Sequence, residues 1–120
     1  MEEMNLRNYA YLGDALWELH IRKKTIKMTN NAQKLHKITT EKVKGHFQAF
    51  LLNEIENILT EEEKEILKRG RNLPIPVGRR SNQAEYRQAT AFETLIGWWF
   101  QNNIDRYNYI ISYIDSNLLF

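Results

Sequence analysis

The chain contains no cysteine, which excludes disulfide bonds and thiolate metal ligands and fits a reducing compartment. Long apolar runs are also missing, and no window approaches the roughly 18 apolar residues that a membrane-spanning helix needs. The charged start Met1-Glu2-Glu3 lacks the apolar region of a secretory signal. These absences predict a cytoplasmic protein that has no membrane partner.

Proline and glycine are scarce, with two and five residues respectively in a chain of 120. Both residue types interrupt helices, and nearly every long stretch repeats its apolar residues at helical spacing. A chain of this length can enclose one small core but leaves no room for a second independent domain. The sequence therefore predicts an all-α fold that forms a single domain over residues 1–120.

Capping patterns and apolar periodicity predict where the helices lie. The predicted helices cover about 6–24, a long stretch that opens after residue 30, about 61–70, about 83–101 and about 105–117. The long stretch either continues or breaks near Asn53. The three capping pairs are Asn30 with Gln33, Thr60 with Glu63, and Asn82 with Glu85. The acidic run 61–63 is thereby interpreted as an ordinary helix start, where the helix dipole favours negative charge.

Positive charge exceeds negative charge by little, since 17 lysines and arginines stand against 15 aspartates and glutamates. Its distribution is more informative than the net value. The stretch 68–80 has no acidic residue, and Pro74 and Pro76 oppose a regular helix there. This stretch is a candidate phosphate contact, with a solvated surface loop as the equal alternative. Its basic residues are Lys68, Arg69, Arg71, Arg79 and Arg80.

Two carboxylates occupy similar positions on two of the predicted helices. Asp14 and Glu93 each lie about 100° from the centre of an apolar stripe, at the border of the core. A carboxylate placed half inside a core is costly unless a cation meets it. Two such placements indicate either a shared metal site or a buried ion-pair site.

The residues around these carboxylates resemble a known family. Tyr11-Leu12-Gly13-Asp14-Ala15-Leu16 resembles the signature helix of the ribonuclease III catalytic domain, and Ala91-Phe92-Glu93-Thr94-Leu95-Ile96-Gly97 resembles that domain's second acidic helix. Full-length ribonuclease III has further acids where this chain has Ala10 and Thr90. The short branch called Mini-ribonuclease III is similar to this chain in both substitutions. Its pattern also appears in Leu35-His36, Arg69-Gly70-Arg71-Asn72 and Tyr86-Arg87.

The resemblance implies a ribonuclease III-type helical endonuclease domain without a double-stranded-RNA-binding domain. It implies a homodimer that cleaves double-stranded RNA and leaves 5′-phosphate and 3′-hydroxyl ends, with large-subunit (23S) ribosomal RNA precursor as the substrate in ribosome biogenesis. Asp14 and Glu93 would be the catalytic and metal-binding residues, with Mg²⁺ as the cofactor and Mn²⁺ as a substitute. RNA would contact Lys68, Arg69, Arg71, Arg79 and Arg80, with Lys23, Lys24 and Lys27 as a second basic cluster.

Two other functions remain open at this point. An all-α nucleotide pyrophosphohydrolase is also helical and magnesium-dependent, but it presents paired acids one turn apart, whereas Asp14 and Glu93 are single. A non-catalytic RNA-binding or ribosome-associated module could share the fold. Retention of both acids argues against it, because binding alone does not need them.

Several polar and aromatic residues have plainer interpretations. Glu18 is four residues before Arg22 and favours a helix ion pair over a metal ligand. His20, on the apolar side of its helix, is predicted to be packed and hydrogen-bonded. Trp98 and Trp99 point in different directions from one helix, so one of them is predicted to face a partner subunit.

Overall fold

The computed structural model describes residues 4–76 and 82–120, and the regular structure in that part of the chain is entirely helical. The all-α prediction is confirmed. The helices are α1 (Leu6–Thr25), α2 (Ala32–Val43), α3 (Gly45–Ile55), α4 (Glu61–Arg71), α5 (Gln83–Asn102) and α6 (Ile104–Asn117), with a 3₁₀ turn at Glu56–Ile58. None of the helices in these two ranges has the length and apolarity that a membrane span requires.

The helix α5 lies at the centre of the fold and packs against α1, α3 and α4. Its side chains Phe92 and Trp99 are fully buried, and so is Trp17 of α1. The ring of Trp17 meets that of Phe92 edge-on, with 5.2 Å between centroids, and its Nε1 donates to the carbonyl of Lys42 at 2.8 Å. Because α5 also contacts α6 and so meets four other helices, side chains on its flanks can meet groups from several elements.

The predicted long second helix is two helices, because the chain breaks at Lys44, and α3 then ends at Ile55, close to the possible break near Asn53. Lys44 has an extended backbone, with φ −67° and ψ 160°, and its carbonyl accepts from the amides of Phe47 and Gln48 at the start of α3. Gly45 begins α3 close to α5, where an added Cβ would lie 3.5 Å from the Cβ of Ala89. The break thus lets α3 change direction and pack on the central helix.

One of the three predicted capping pairs is confirmed as predicted. Thr60 and Glu63 form a reciprocal capping box at the start of α4. For α2 the cap is Asn31 rather than Asn30, and its side chain accepts from the amide of Lys34 at 2.9 Å. The prediction is one residue off there, because adjacent asparagines give the same signal.

The predicted cap of α5 is wrong. Asn82 has a left-handed backbone, with φ 56°, and makes no side-chain capping hydrogen bond. An N-cap side chain reaches the helix amides from an extended backbone, which Asn82 does not have. Glu85, predicted to complete this cap, instead pairs with Nδ1 of His46 at 3.2 Å.

Glu63 has a second role that the capping pattern does not reveal. Its side chain is only 3% exposed and accepts from Arg106 Nε and from Trp99 Nε1, each at 2.8 Å. Burial alone would raise the pKa of Glu63, but hydrogen bonds from Arg106, the Thr60 amide and Trp99 outweigh it and lower that pKa. This buried ion pair ties α4 to α5 and α6.

Candidate acidic site

Two glycines bring α1 and α5 into backbone contact. A Cβ added to Gly13 would overlap the carbonyl oxygen of Glu93, and a Cβ added to Gly97 would overlap the carbonyl oxygen of Tyr9. The contacts run in opposite directions along the two chains, so the helices are antiparallel. Gly13 lies against the backbone of Glu93. Asp14, which follows Gly13 in α1, therefore lies close to the Glu93 side chain.

The two carboxyl groups that the helical pattern singles out meet at this crossing. Glu93 is half-buried and Asp14 is exposed. Burial raises the pKa of Glu93 to about 8, and the neighbouring carboxyl group of Asp14 acts in the same direction. The fold therefore favours the protonated form of Glu93 near neutral pH.

A third helix contributes a polar group that sequence reasoning missed. Gln48 of α3 is 3% exposed, and its Nε2 donates to Oε2 of Glu93 at 3.3 Å. This hydrogen bond opposes the effect of burial on the pKa of Glu93. The position of Gln48 depends on the break at Lys44, which the helical periodicity does not predict.

The site opens into a cleft of about 460 Å³ between α1, α3 and α5. Asp14, Glu93 and Gln48 lie on its wall, and so do Ala10 and Thr90. These last two stand where full-length ribonuclease III has further acids, so the small side chains leave that part of the cleft open. Further residues of the wall include Arg7, Tyr11, Val43, Gly45, Tyr86 and Ala89.

The donor set at the cleft fits a hard divalent cation. No group of three or more histidine, cysteine, aspartate or glutamate side chains that could hold a metal occurs in residues 4–76 and 82–120. A closed all-protein cage is therefore absent from those ranges. Mg²⁺ is commonly held by one or two carboxylates, with water and substrate phosphate as the other ligands. Asp14 and Glu93 can supply such a pair once Glu93 is deprotonated.

Three of the five predicted RNA-contact residues lie at the end of α4. Lys68 and Arg69 are exposed and Arg71 is half-buried. None of the three lies on the wall of the cleft. The other two, Arg79 and Arg80, fall outside the described residues. After Arg71 the chain is not helical up to Pro76, as the two prolines predict.

Two arginines that sequence reasoning gave no role hold the segment 71–74. Arg7 of α1 donates to the carbonyl of Pro74 at 3.1 Å. Arg87 of α5 donates to the carbonyl of Arg71 at 3.1 Å and to that of Leu73 at 3.5 Å. In the sequence, Arg87 stands out only as part of the Tyr86-Arg87 pair of the family pattern, which does not indicate its hydrogen-bond partners. The basic end of α4 is thus fastened to both helices that carry the acids.

The plainer interpretations of Glu18 and His20 are confirmed. Glu18 pairs with Arg22 at 3.7 Å, and His20 Nε2 lies 2.8 Å from Oδ1 of Asp115. Lys24, from the second basic cluster, also pairs with Asp115, at 3.0 Å. Trp99 is buried in the core, whereas Trp98 is half-buried. That one of the two tryptophans faces a partner stays a prediction.

The family of the chain follows from comparison with known proteins. Residues 7–103 match the Ribonuclease III domain, a range that contains the crossing of α1 and α5, both carboxylates and Gln48. The chain therefore belongs to the ribonuclease III family.

Individual relatives place it in the short branch that the sequence resembles. It is 41% identical over 116 residues to the Mini-ribonuclease 3 of Gloeobacter violaceus, which covers 97% of this chain and 86% of the relative. It is 38% identical over 108 residues to the Mini-ribonuclease 3 of Clostridium tetani, over 88% and 72% of the two chains. A crystal structure of a Fusobacterium nucleatum protein superposes with a TM-score of 0.80 at 34% identity, covering 96% and 95%. The resemblance to Mini-ribonuclease III is confirmed.

Proposed function

We propose that this protein is a divalent-metal-dependent endoribonuclease that cleaves double-stranded RNA, with Asp14 and Glu93 as its catalytic and metal-binding residues. The observation that carries the proposal is the meeting of these two carboxyl groups, from different helices, in one open cleft. A half-buried carboxyl group such as that of Glu93, placed beside a second carboxyl group, is unfavourable unless a cation meets it. Its presence at the family's acidic positions is accounted for by a bound cation.

The chain's own residues prepare the site in two ways. Asp14 and the deprotonated Glu93 would carry the negative charge that holds Mg²⁺ or Mn²⁺. Ala10 and Thr90 leave space beside them for a phosphodiester and for water. A bound divalent ion supplies water activation, polarisation of the phosphate and stabilisation of the leaving oxygen. The products would be 5′-phosphate and 3′-hydroxyl ends.

The proposed substrate is an A-form RNA duplex, which proteins recognise through its shape, its 2′-hydroxyls and its backbone. Lys68, Arg69 and Arg71, together with Arg79 and Arg80, are the proposed phosphate contacts. Support comes from the hydrogen bonds of Arg7 and Arg87, which fix the end of α4 relative to the acids. The proposed natural substrate is large-subunit ribosomal RNA precursor, as the family resemblance implies.

The proposed assembly is a homodimer, because two staggered cuts in a duplex require two sites related by a two-fold axis. Three exposed apolar side chains lie on one outward side of α1 and its C-cap. Tyr11, Leu19 and Ile26 are 83%, 57% and 63% exposed and lie within about 80° of one another around the helix. Tyr11 also lines the acidic cleft, so a second copy on this face would border the site.

The test compares the wild type with Asp14→Asn on a long RNA duplex in Mg²⁺, with EDTA as a second control. Removing one carboxylate charge from the site should lower cleavage by about a hundredfold or more, while duplex binding and the circular dichroism spectrum stay unchanged. Asp105→Asn makes the same chemical change at an exposed position on α6 and should cleave normally.

Other outcomes would reject parts of the proposal. Wild-type protein that binds the duplex but does not cut it, in Mg²⁺ or Mn²⁺, would support the non-catalytic RNA-binding module. An unfolded Asp14→Asn variant would indicate that the carboxyl pair is structural. The pyrophosphohydrolase alternative has no support in the cleft, which lacks acids paired one turn apart among the residues on its wall.

A further inference from the structure

Gln48 is the one polar side chain of α3 that is buried against the acidic pair. It belongs to the first turn of α3, where its backbone N–H donates to the carbonyl of Lys44 at 3.2 Å. The residue is 3% exposed. Burying a side-chain amide costs free energy unless the amide is hydrogen-bonded. Here the partner of its Nε2 is Oε2 of Glu93, at 3.3 Å.

The chemistry of an amide suits this place better than that of an acid or an apolar residue. An N–H donor aimed at a carboxylate oxygen favours the ionised carboxylate, while the neutral amide adds no repulsion to the two acids. An apolar side chain would leave Glu93 without a donor. A third carboxylate would increase the repulsion within the site before any cation is bound.

Gln48 donates a hydrogen bond to the Glu93 carboxyl group, whereas the nearby threonine of α5 is directed elsewhere. Ala10 and Thr90 line the cleft, and the Oγ1 of Thr94, one turn further along α5, is turned to the carbonyl of Thr90 at 2.7 Å. Groups that fix a metal-binding carboxylate through hydrogen bonds strongly affect metal affinity. On the cleft wall, Gln48 has the position and the donor for that task.

We infer that Gln48 is a positioning residue of the proposed metal site: its buried side-chain amide holds the Glu93 carboxylate in the orientation that a divalent cation requires. This inference rests on the proposed function. The inference assigns a role to a residue outside the acidic pair. Gln48 acts through Glu93 and belongs to α3, which carries neither Asp14 nor Glu93.

The experiment titrates Mn²⁺ into the full-length protein without RNA and follows the free ion by electron paramagnetic resonance. Gln48→Met keeps the length of the side chain but removes the donor. The half-saturating Mn²⁺ concentration should rise by about tenfold, the lower end of what loss of such a supporting group causes. Gln88→Met is the matched control, because Gln88 is a partly buried glutamine of α5 that does not line the cleft, and it should titrate like the wild type.

A second measurement separates positioning from a general loss of structure. RNA cleavage by Gln48→Met should need about tenfold more Mg²⁺ for half-maximal rate, and the rate should recover as Mg²⁺ is raised. A structural defect would lower the rate at every Mg²⁺ concentration. If Gln48→Met does not fold, Gln48→Asn keeps the amide but is one methylene too short to reach Glu93, and the same shift is expected.

The outcomes distinguish this inference from the proposed function. If the wild type binds Mn²⁺ and cleaves RNA, but the folded Gln48 variant titrates like the wild type or like Gln88→Met, the role of Gln48 is overturned and the proposed function stands. If the wild type neither binds the ion nor cleaves RNA, both are overturned.

Discussion

The pKa of Glu93 is raised from 4.5 to about 8, first by burial and then by the neighbouring Asp14. Its folded pKa lies above its unfolded pKa, so the fold favours the protonated form. The stabilising effect of that proton is fully present below pH 4.5 and is lost as the pH rises through about 8. Without a divalent ion, folded protein at high pH must therefore hold a buried carboxylate next to Asp14.

Glu93→Gln should remove this pH dependence, because a glutamine stays neutral. In EDTA, wild-type stability should fall between pH 5 and pH 9 relative to the variant, by on the order of 2 kcal/mol after allowance for partial exposure. Urea unfolding at pH 5, 7 and 9 measures the difference. Parallel stability profiles for the two proteins would show that Glu93 does not titrate abnormally.

For single residues, the sequence identifies the two acids but not the side chains that surround them. Helical periodicity places Asp14 and Glu93 at the border of the core, and the family pattern pairs them. Gln48 could not be predicted, because its role depends on the direction of α3 after Lys44. Arg7 and Arg87 were missed for a similar reason, since their partners are backbone carbonyls of a non-helical segment.

Among the elements, the crossing of α1 and α5 does the most to build the site. At Gly13 and Gly97 the backbone of one helix touches the other, and no rotation of a side chain can relieve an overlap with a carbonyl group. The separation of the two helices therefore sets the separation of the two acids.

Gly13→Ala should lower the free energy of unfolding by about 3 kcal/mol, since overpacking against backbone must be relieved by moving a helix. Gly45→Ala is the matched control: its Cβ would make an ordinary contact, 3.5 Å from the Cβ of Ala89. Replacing that helical glycine should be neutral or stabilising by up to about 1 kcal/mol. Chemical denaturation of both variants gives the comparison, and equal stabilities would contradict the close crossing.

Helix positions were predictable where the signals are local. The capping box of Thr60 and Glu63 was read correctly, and most helix ends lie within a residue or two of their predicted places. The signals failed where tertiary packing decides the backbone. The break at Lys44 follows from docking of α3 on α5, and the left-handed Asn82 cannot use the cap that its sequence suggests.

For the whole molecule, the outward face of α1 is one of the surfaces where a single chain leaves apolar side chains exposed. The proposed two-fold assembly would cover Tyr11, Leu19 and Ile26 there. The apolar stripe of a helix predicts which residues enter the core. It does not predict which remaining apolar residues meet another copy, so the sequence supports the dimer only through the family resemblance.

Leu19→Glu should convert the proposed dimer to a folded monomer, because the side chain is 57% exposed in the single chain but would be buried between copies. The control is Ile104→Glu, which makes the same kind of change at an exposed apolar position on α6, 47% exposed, away from the proposed interface. Sedimentation velocity over a range of protein concentrations measures the change. A wild type that sediments as a monomer at every concentration would reject the dimer.

Arg7 and Arg87 reach the segment 71–74 from α1 and α5, the same helices that bring Asp14 to Glu93. The same two helices therefore hold both the segment 71–74 and the two acids. A bent or mismatched duplex that displaced this segment would act on the helix pair whose spacing sets the distance between the carboxyl groups.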